Sequence, residues 1–581
     1  MRVLLLHPDD SHEPGPWSAE GWDLVVNLGR SALFSQEKTG SKGPVLQVDS
    51  YRRGLLDAKH VRQILCAGRG HLIDHEGIDW WELTSVAIVQ QAFTVMLLQR
   101  LSAEIPASAE LWSTRPDWSS CALAHLLDVP VQNFRRARWT RGASRAMHYA
   151  QLLHRFSPAQ LKQIFFDKYD ADYRWRSRLA ASKNRCPEPV VLIPSAYSNV
   201  SRMAAAYAAM LPQQPFLLVA TRWSAYNFSP LPNIQVRDLA TYRGADVKSS
   251  EPASLIERWT VLKSQLHSCE ALRLLSESGV LDQFSKFFQS GPVVRDAWRR
   301  VLESEPVSGV LCGDDSNYYT RLPVLLAAKR NISTVDFHHG ALDGFYLFKD
   351  AASDLYLAKN EMEANYLLSI CEFPADKVVI APPSVPHAPP LRSQRTGRDG
   401  CIVLFSEPYE LTGMRAEDVY RELLPRLWLL ARDNGRNLVV KLHPFESRSQ
   451  RRRVLKQVLP EEASRHIELV EGPLTAELFR RTWFGITIES TAAIDSMQNG
   501  ICCFLCRWLT LLPYGYAEQY ARFGMGESLH NPEEINEIPR RLDRFYSRPA
   551  SQRSVHATDP ALLQQWLTSG LNSAPRARSA S

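Results

Sequence analysis

Four short groups of residues could do chemistry in this sequence. Lys441-Leu442-His443-Pro444 closes the apolar run NLVV, and Pro444 stops that run and fixes the chain direction. A neutral His443 imidazole would donate a hydrogen bond to a phosphate oxygen, and a protonated one would add attraction. Glu489-Ser490-Thr491 follows GITI and precedes AAIDSM. Its two hydroxyls, with the free N–H groups of a first helical turn, suit an anion. Glu489 offers acceptor oxygens to sugar hydroxyls or a base, and Asp495 lies one turn further along the same helix face. Gly313-Asp314-Asp315-Ser316 follows GVLC. One of its carboxylates is expected to face a cleft, as general base on a hydroxyl or as its orienter, and the other to cap a helix. His338-His339-Gly340 follows STVDF; the histidines suit phosphate contact or proton transfer, and Gly340 a tight turn or close approach. Taken singly, each group is also an ordinary turn, cap or polar loop.

What gives them joint weight is the kind of element each one follows. All four come directly after predicted strands, and ligands of open parallel sheets bind beyond the carboxyl ends of strands. Strands are expected at Val190–Ile193, Phe216–Ala220, Asp354–Leu357 and Val378–Ala381, with a long helical stretch near 254–304. Ser198 or Asn199 is expected to cap the helix after the first of these. Further strands are expected at Cys401–Phe405, Asn437–Lys441, His466–Leu469, Phe484–Ile488 and Cys502–Leu505. Val419–Asn434 reads as a helix that Pro425 either kinks or starts. This alternation is the sequence form of a doubly wound parallel sheet. The opening RVLLLH, Trp22–Leu28 and Val61–Cys66 read as three strands of a separate first region, followed by apolar stretches at Leu83–Leu101 and Ala122–Leu127. A charged, aromatic helix and a linker are expected to close that region near Pro187–Pro189, and a short helix is expected near Ala561–Leu567.

At 581 residues the chain is too long for one hydrophobic core, and 45% apolar residues are enough to build several. A net charge of +6 is too mild for a nucleic-acid binder, and no zinc-finger, KH or RRM signature accompanies it. Such a surface suits a phosphorylated donor, an acidic polysaccharide or anionic lipid. Cys502, Cys503 and Cys506 read as core thiols. His71, Asp74, His75 and Glu76 fit no metal-ligand spacing, and Trp80 and Trp81 suit either saccharide stacking or core packing. No secretory signal and no long uninterrupted apolar run is read, so a cytoplasmic protein is expected, touching at most the inner face of a membrane.

KLHP followed some fifty residues later by EST at a strand–helix junction resembles the HP and S-S/T motifs of bacterial GT-B sialyltransferases and polysialyltransferases. With a His-Gly after a strand in the preceding domain, the pair also resembles CDP-glycerol glycerophosphotransferases of teichoic-acid synthesis and capsule-type transferases. The resemblance covers roughly residues 188–530 and leaves 1–185 without a match. It implies an α/β fold with a GT-B-like pair of Rossmann-type domains facing across a cleft, plus an additional N-terminal α/β domain. The expected division is 1–187 accessory, 188–397 acceptor-side, 398–545 donor-binding and 546–581 a largely disordered tail.

By the same resemblance His443, Ser490 and Thr491 bind donor phosphate. Asp314 or Asp315 supplies the base, although Ser316 stands where a glycine is usual, and His339 is a further catalytic candidate. Lys441, Pro444, Glu489, Tyr409 and Glu410 are placed at the nucleotide or sugar, and His338, Gly340, Ser195 and Asn199 on the acceptor side. The implied reaction is metal-independent, inverting transfer from a nucleotide sugar, with no further cofactor, to a glycan or glycolipid hydroxyl. A CMP-sugar of a nonulosonic acid or Kdo is favoured. A CDP-polyol phosphotransferase, a UDP- or GDP-sugar transferase, a sugar-nucleotide epimerase and a nucleotide-sugar-binding module are the competing readings.

Overall fold

The computed structural model describes residues 1–7, 20–28, 43–48, 58–134, 185–243, 250–266, 269–342, 346–347, 349–383, 400–409, 414–510, 515–547 and 558–569. The expected charged helix before Pro187, the linker near 387–399, Glu410 and the end of the tail lie outside them.

The chain forms three sheets, and every pairing within them is parallel. The first has β1 (Arg2–Leu6), β2 (Leu24–Asn27), β3 (Val45–Gln47), β4 (Glu110–Ser113) and β5 (Val131–Asn133) in the order β3-β2-β1-β4-β5. The second has β6 (Val190–Ser195), β7 (Phe216–Ala220), β8 (Ile234–Asp238), β9 (Val307–Cys312), β10 (Ser333–Phe337), β11 (Leu355–Ala358) and β12 (Val378–Ile380) in the order β12-β11-β10-β9-β6-β7-β8. The third has β13 (Cys401–Phe405), β14 (Asn437–Lys441), β15 (Glu468–Val470), β16 (Thr482–Thr487), β17 (Cys503–Cys506) and β18 (Glu527–Leu529) in the order β15-β14-β13-β16-β17-β18. In each sheet the chain winds outward on one side, returns beside its first strand and winds out on the other. This is the doubly wound, Rossmann-like form, and its switch points lie between β1 and β4, β6 and β9, and β13 and β16. The central strands are near-continuous apolar runs, as burial on both faces demands: β6, β10, β13 and β17 are buried at every position.

Two compact units contain these sheets. One comprises Met1–Leu55, Thr94–Leu161 and Pro386–Arg553 and holds the first and third sheets. The other comprises Leu56–Phe93, Lys162–Val385 and Ser554–Ser581 and holds the second. In the second unit the helix Pro560–Ser569 buries Leu563, Trp566 and Leu567 against the seven-stranded sheet. Its backbone passes so close that a Cβ at Gly309 would meet the Leu567 carbonyl at 1.8 Å, so only glycine fits there.

Several expectations are corrected. Val61–Cys66 lies in the helix Ala58–Ala67, and the third strand is β3. Pro425 lies inside the helix Ala416–Asp433 rather than at its start. The helix after β6 is Ser198–Ala209; its N-cap is Tyr197, without a side-chain cap from Ser198 or Asn199. Of the two readings of Trp80 and Trp81, core packing holds and saccharide stacking does not, since both are fully buried. Asp74 pairs with Arg295 at 2.6 Å and His75 with Glu251 at 2.6 Å, which makes the acidic–histidine cluster an ion-pair node. The helix Trp80–Ser102 is long and apolar enough to cross a membrane, but 67% of its most apolar window is buried in the protein.

Candidate active site

Two sets of side chains gather at switch points, one in each unit. In the six-stranded sheet the edge is built from the ends of β13, β14 and β16. His443 follows β14. Its backbone N–H donates to Glu446 at 2.6 Å, and Glu446 is held by Arg451 at 2.6 Å and Ser406 at 2.8 Å. The Phe445 N–H donates to His443 Nδ1 at 3.2 Å, so Nδ1 carries no proton and Nε2 carries it in the neutral ring. Burial, reinforced by the Lys441 charge, pulls the His443 pKa down to about 4. His443 is therefore a neutral donor fixed in one tautomer. Lys441 is buried and spends its ammonium on the Leu442 and Gly472 carbonyls, at 2.8 and 2.6 Å, so it acts as a brace rather than a ligand contact.

The strand–helix turn after β16 differs from the cradle expected for a ligand anion. The backbone N–H groups of Ile488, Glu489 and Ser490 all donate to one oxygen of Glu407, at 3.1, 2.9 and 3.1 Å. The Thr487 hydroxyl joins them at 2.7 Å. The nest is thus filled by the chain's own carboxylate, which reaches across the switch point from the end of β13. Ser490 and Thr491 remain half-buried at the edge, Thr491 at the N-cap position and the Ser490 hydroxyl accepting from the Ala492 N–H at 3.2 Å. His443 and this turn flank β13 on opposite sides, about two inter-strand spacings or ~10 Å apart. Glu489 is half-buried beside them and Pro444 is exposed. Tyr409 is fully buried against Tyr420 in the core, so its expected contact with a nucleobase is corrected.

The second set lies at the β6–β9 switch point. The two adjacent carboxylates part company. Asp315 is buried in an ion-pair network with Lys349 and with Arg321, at 2.7 Å from the latter. Arg321 in turn pairs with Glu82. Asp315 is therefore structural, and neither aspartate caps the following helix: Asn317 does, accepting from the Thr320 N–H at 3.3 Å. Asp314 accepts from the Ser316 N–H at 3.0 Å, the Ser316 hydroxyl and Asn317 Nδ2 at 3.1 Å. Burial pushes its pKa up, but His339, Ser316 and Lys349 outweigh burial and hold it below the usual carboxylate range. Nearby Asp336 bonds to the Tyr346 hydroxyl and is driven well above that range by burial. The two carboxyls are thus driven in opposite directions.

His339 Nδ1 lies 3.1 Å from the Gly313 carbonyl and must donate to it, which leaves Nε2 as the lone-pair nitrogen of the neutral ring. His338 turns inward, with Nε2 on the Ala341 carbonyl and a pKa that burial draws well below the ordinary value. Ser195 is likewise buried, bonded to Ser201 at 2.8 Å, and does not face solvent. Gly340 has no contact that a Cβ would violate, the nearest atom being 4.0 Å away, and its carbonyl takes the Lys359 ammonium at 3.0 Å. Asn199 is half-buried on the first turn of its helix. Sequence reasoning missed Tyr197 and Arg222, which meet beside His339. Arg222 Nη1 donates to the Tyr197 hydroxyl at 2.6 Å, and the Tyr197 and His339 ring centres are 6.4 Å apart. It also missed Glu407 and Glu446. Position immediately after the first strand of a doubly wound sheet was the signal available for Glu407. Among the described residues no three His, Cys, Asp or Glu side chains group to hold a metal ion.

No protein-family model matches the chain, and no curated protein matches it. Solved structures resemble it at low identity. The S. aureus MnaA–UDP co-structure is 13% identical over 64% of this chain and 92% of that one, with a TM-score of 0.36. The UDP-GlcNAc 2-epimerase from Neisseria meningitidis bound to UDP-GlcNAc is 14% identical over 65% and 99%, with a TM-score of 0.36. A glycosyltransferase from Rickettsia africae ESF-5 is 11% identical over 66% and 93%, with a TM-score of 0.34. TM-scores this far below 0.5 carry no argument about this chain's chemistry.

Proposed function

We propose that this protein is a glycosyltransferase that uses a nucleotide sugar, with the donor phosphate held at the edge of the six-stranded sheet. The observation that carries this reading is the fixed Nε2–H tautomer of His443, a neutral donor at a strand end flanking the switch point. Ser490 and Thr491 add hydroxyl donors on the other side of β13. Because Glu407 consumes three backbone N–H groups of the adjoining turn, few donors remain for a diphosphate. That supports a donor with a single phosphate, a CMP-sugar, as does the resemblance of KLHP and EST to CMP-sugar transferases.

On the acceptor side His339 is the group suited to take a proton. Its Nδ1–H is anchored on a carbonyl, its Nε2 holds the lone pair, and Asp314 would stabilise the imidazolium that forms. In such a transfer the acceptor hydroxyl loses its proton to a base as its oxygen attacks the anomeric carbon, and His339 is the candidate for that base within its own unit. The bond from that carbon to the phosphate oxygen breaks, CMP leaves with the electron pair, and a single displacement inverts the configuration. His443 donates to the phosphate as charge develops on it. The test is nucleotide release from CMP-sialic acid and CMP-Kdo in the presence and absence of saccharide acceptors. Acceptor-dependent CMP release, reduced by at least ~100-fold in His339→Ala, supports the reading. Conversion of a UDP-sugar to its epimer without acceptor would replace transfer with epimerisation.

A further inference from the structure

Beside His339 the seven-stranded sheet presents a pair of aromatic rings that proton transfer and donor binding leave unused. β7 ends at Ala220, and Trp223–Tyr226 form a single turn directly beyond it. Trp223 and Tyr226 are 37% and 36% exposed and are the only exposed aromatic side chains among the described residues. Their ring centres are 6.0 Å apart. The turn is pinned from within. The Tyr226 hydroxyl donates to buried Asp238 at 2.9 Å, Ser224 donates to the Ala196 carbonyl at 2.9 Å, and Ser201 donates to the Ala225 carbonyl at 2.8 Å. Rigid rings held at a surface by buried polar bonds have little freedom to lose when a ligand covers them.

The pair adjoins the reactive edge. Arg222 precedes Trp223 and bonds to the Tyr197 hydroxyl, and Tyr197 lies against His339. In strand order β7 is two positions from β9, which places the rings ~10 Å along the edge from Asp314, farther than one sugar ring reaches.

We propose that Trp223 and Tyr226 are a stacking platform for a saccharide acceptor of two or more units. One sugar presents its hydroxyl to His339, and a neighbouring ring lays its apolar C–H face on the Trp223 indole, with the Tyr226 phenol, tilted 52° to the indole, closing one side. Arg222 and the Tyr197 hydroxyl line the path between them and serve sugar hydroxyls. This inference rests on the transferase reading and gives its acceptor a class: an oligosaccharide rather than a monosaccharide or a lipid alcohol.

The test uses the full chain on an immobilised panel of neutral, uronic-acid and sialic-acid-terminated saccharides of one to four units, with nucleotide binding measured in parallel by calorimetry. Capture of chains of two or more units is expected, weakened by at least ~10-fold in Trp223→Ala and in Trp223→Ala/Tyr226→Ala, and retained in Trp223→Phe. Nucleotide affinity should be unchanged in all three. Trp223→Ala keeps the Tyr226–Asp238 bond and is the decisive variant if the double variant fails to fold. Capture that survives Trp223→Ala, or no saccharide capture by the wild type, would overturn the platform. Saccharide capture without binding of any nucleotide would overturn the transferase reading and leave the platform standing.

Discussion

One carboxylate oxygen of Glu407 accepts the backbone N–H of Ser490 at 3.1 Å, although the two residues are 83 positions apart in sequence. The same oxygen holds the N–H groups of Ile488 and Glu489, so Glu407 sets the shape of the turn that presents Ser490 and Thr491. Glu407→Ala leaves three backbone donors without their acceptor and should cost about 2–4 kcal/mol of stability by denaturant titration. Glu407→Gln keeps an acceptor oxygen and should cost about half as much. A loss under ~0.5 kcal/mol for the alanine variant would show that the turn holds its shape unaided.

The state of His443 can be read directly. Its folded pKa, lowered to about 4 by burial and Lys441, lies below the ordinary 6.5. Between those values the unfolded chain binds a proton that the folded chain refuses. This histidine therefore contributes nothing to the pH dependence of stability above pH 6.5, and removes stability as pH falls from 6.5 toward 4. Nitrogen NMR of labelled histidine should show the Nε2–H tautomer at neutral pH and no titration down to about pH 5. A midpoint near the ordinary value would mean that His443 is not held as described.

Asp314 and Asp315 should separate cleanly. Asp315→Asn breaks the buried contacts with Lys349 and Arg321 and is expected to cost about 3–5 kcal/mol, seen as a lowered melting temperature. Asp314→Asn should leave most of the stability in place and lower acceptor-dependent turnover by ~10²-fold or more, through loss of the charge beside His339. Equal, mild effects from both substitutions would sink these roles.

Much of this architecture is legible in the sequence, and the gaps have physical causes. Cys401–Phe405 and Asn437–Lys441 are found at their expected bounds because buried parallel strands are unbroken apolar runs closed by polar residues. β3, β4, β8 and β18 escaped because they are short outer or mixed strands in which polar residues interrupt the run. Val61, Ile64 and Leu65 show the i, i+3, i+4 spacing of a helix, which short-range apolar content concealed. His443, Ser490 and Thr491 were readable from their place after strands. Of the partners that fix their chemistry, Glu407 lies where ligands are expected, but its bonds to a turn 81 to 83 residues further on leave no periodic trace, and Glu446, three residues past His443, is one polar residue of a polar loop. Asp315 was misread because Lys349, which pairs with it, and Glu82, which holds its other partner Arg321, are distant in sequence.

The central claim is that the edge of the six-stranded sheet holds a nucleotide's phosphate through His443. Isothermal calorimetry of the full chain with CMP, CDP, UDP and GDP, repeated on His443→Ala, tests it most directly. CMP should bind more tightly than UDP or GDP, and the variant should lose at least ~10-fold in affinity with its melting temperature little changed. Binding of no nucleotide by the wild type, or equal CMP affinity in wild type and variant, would contradict it.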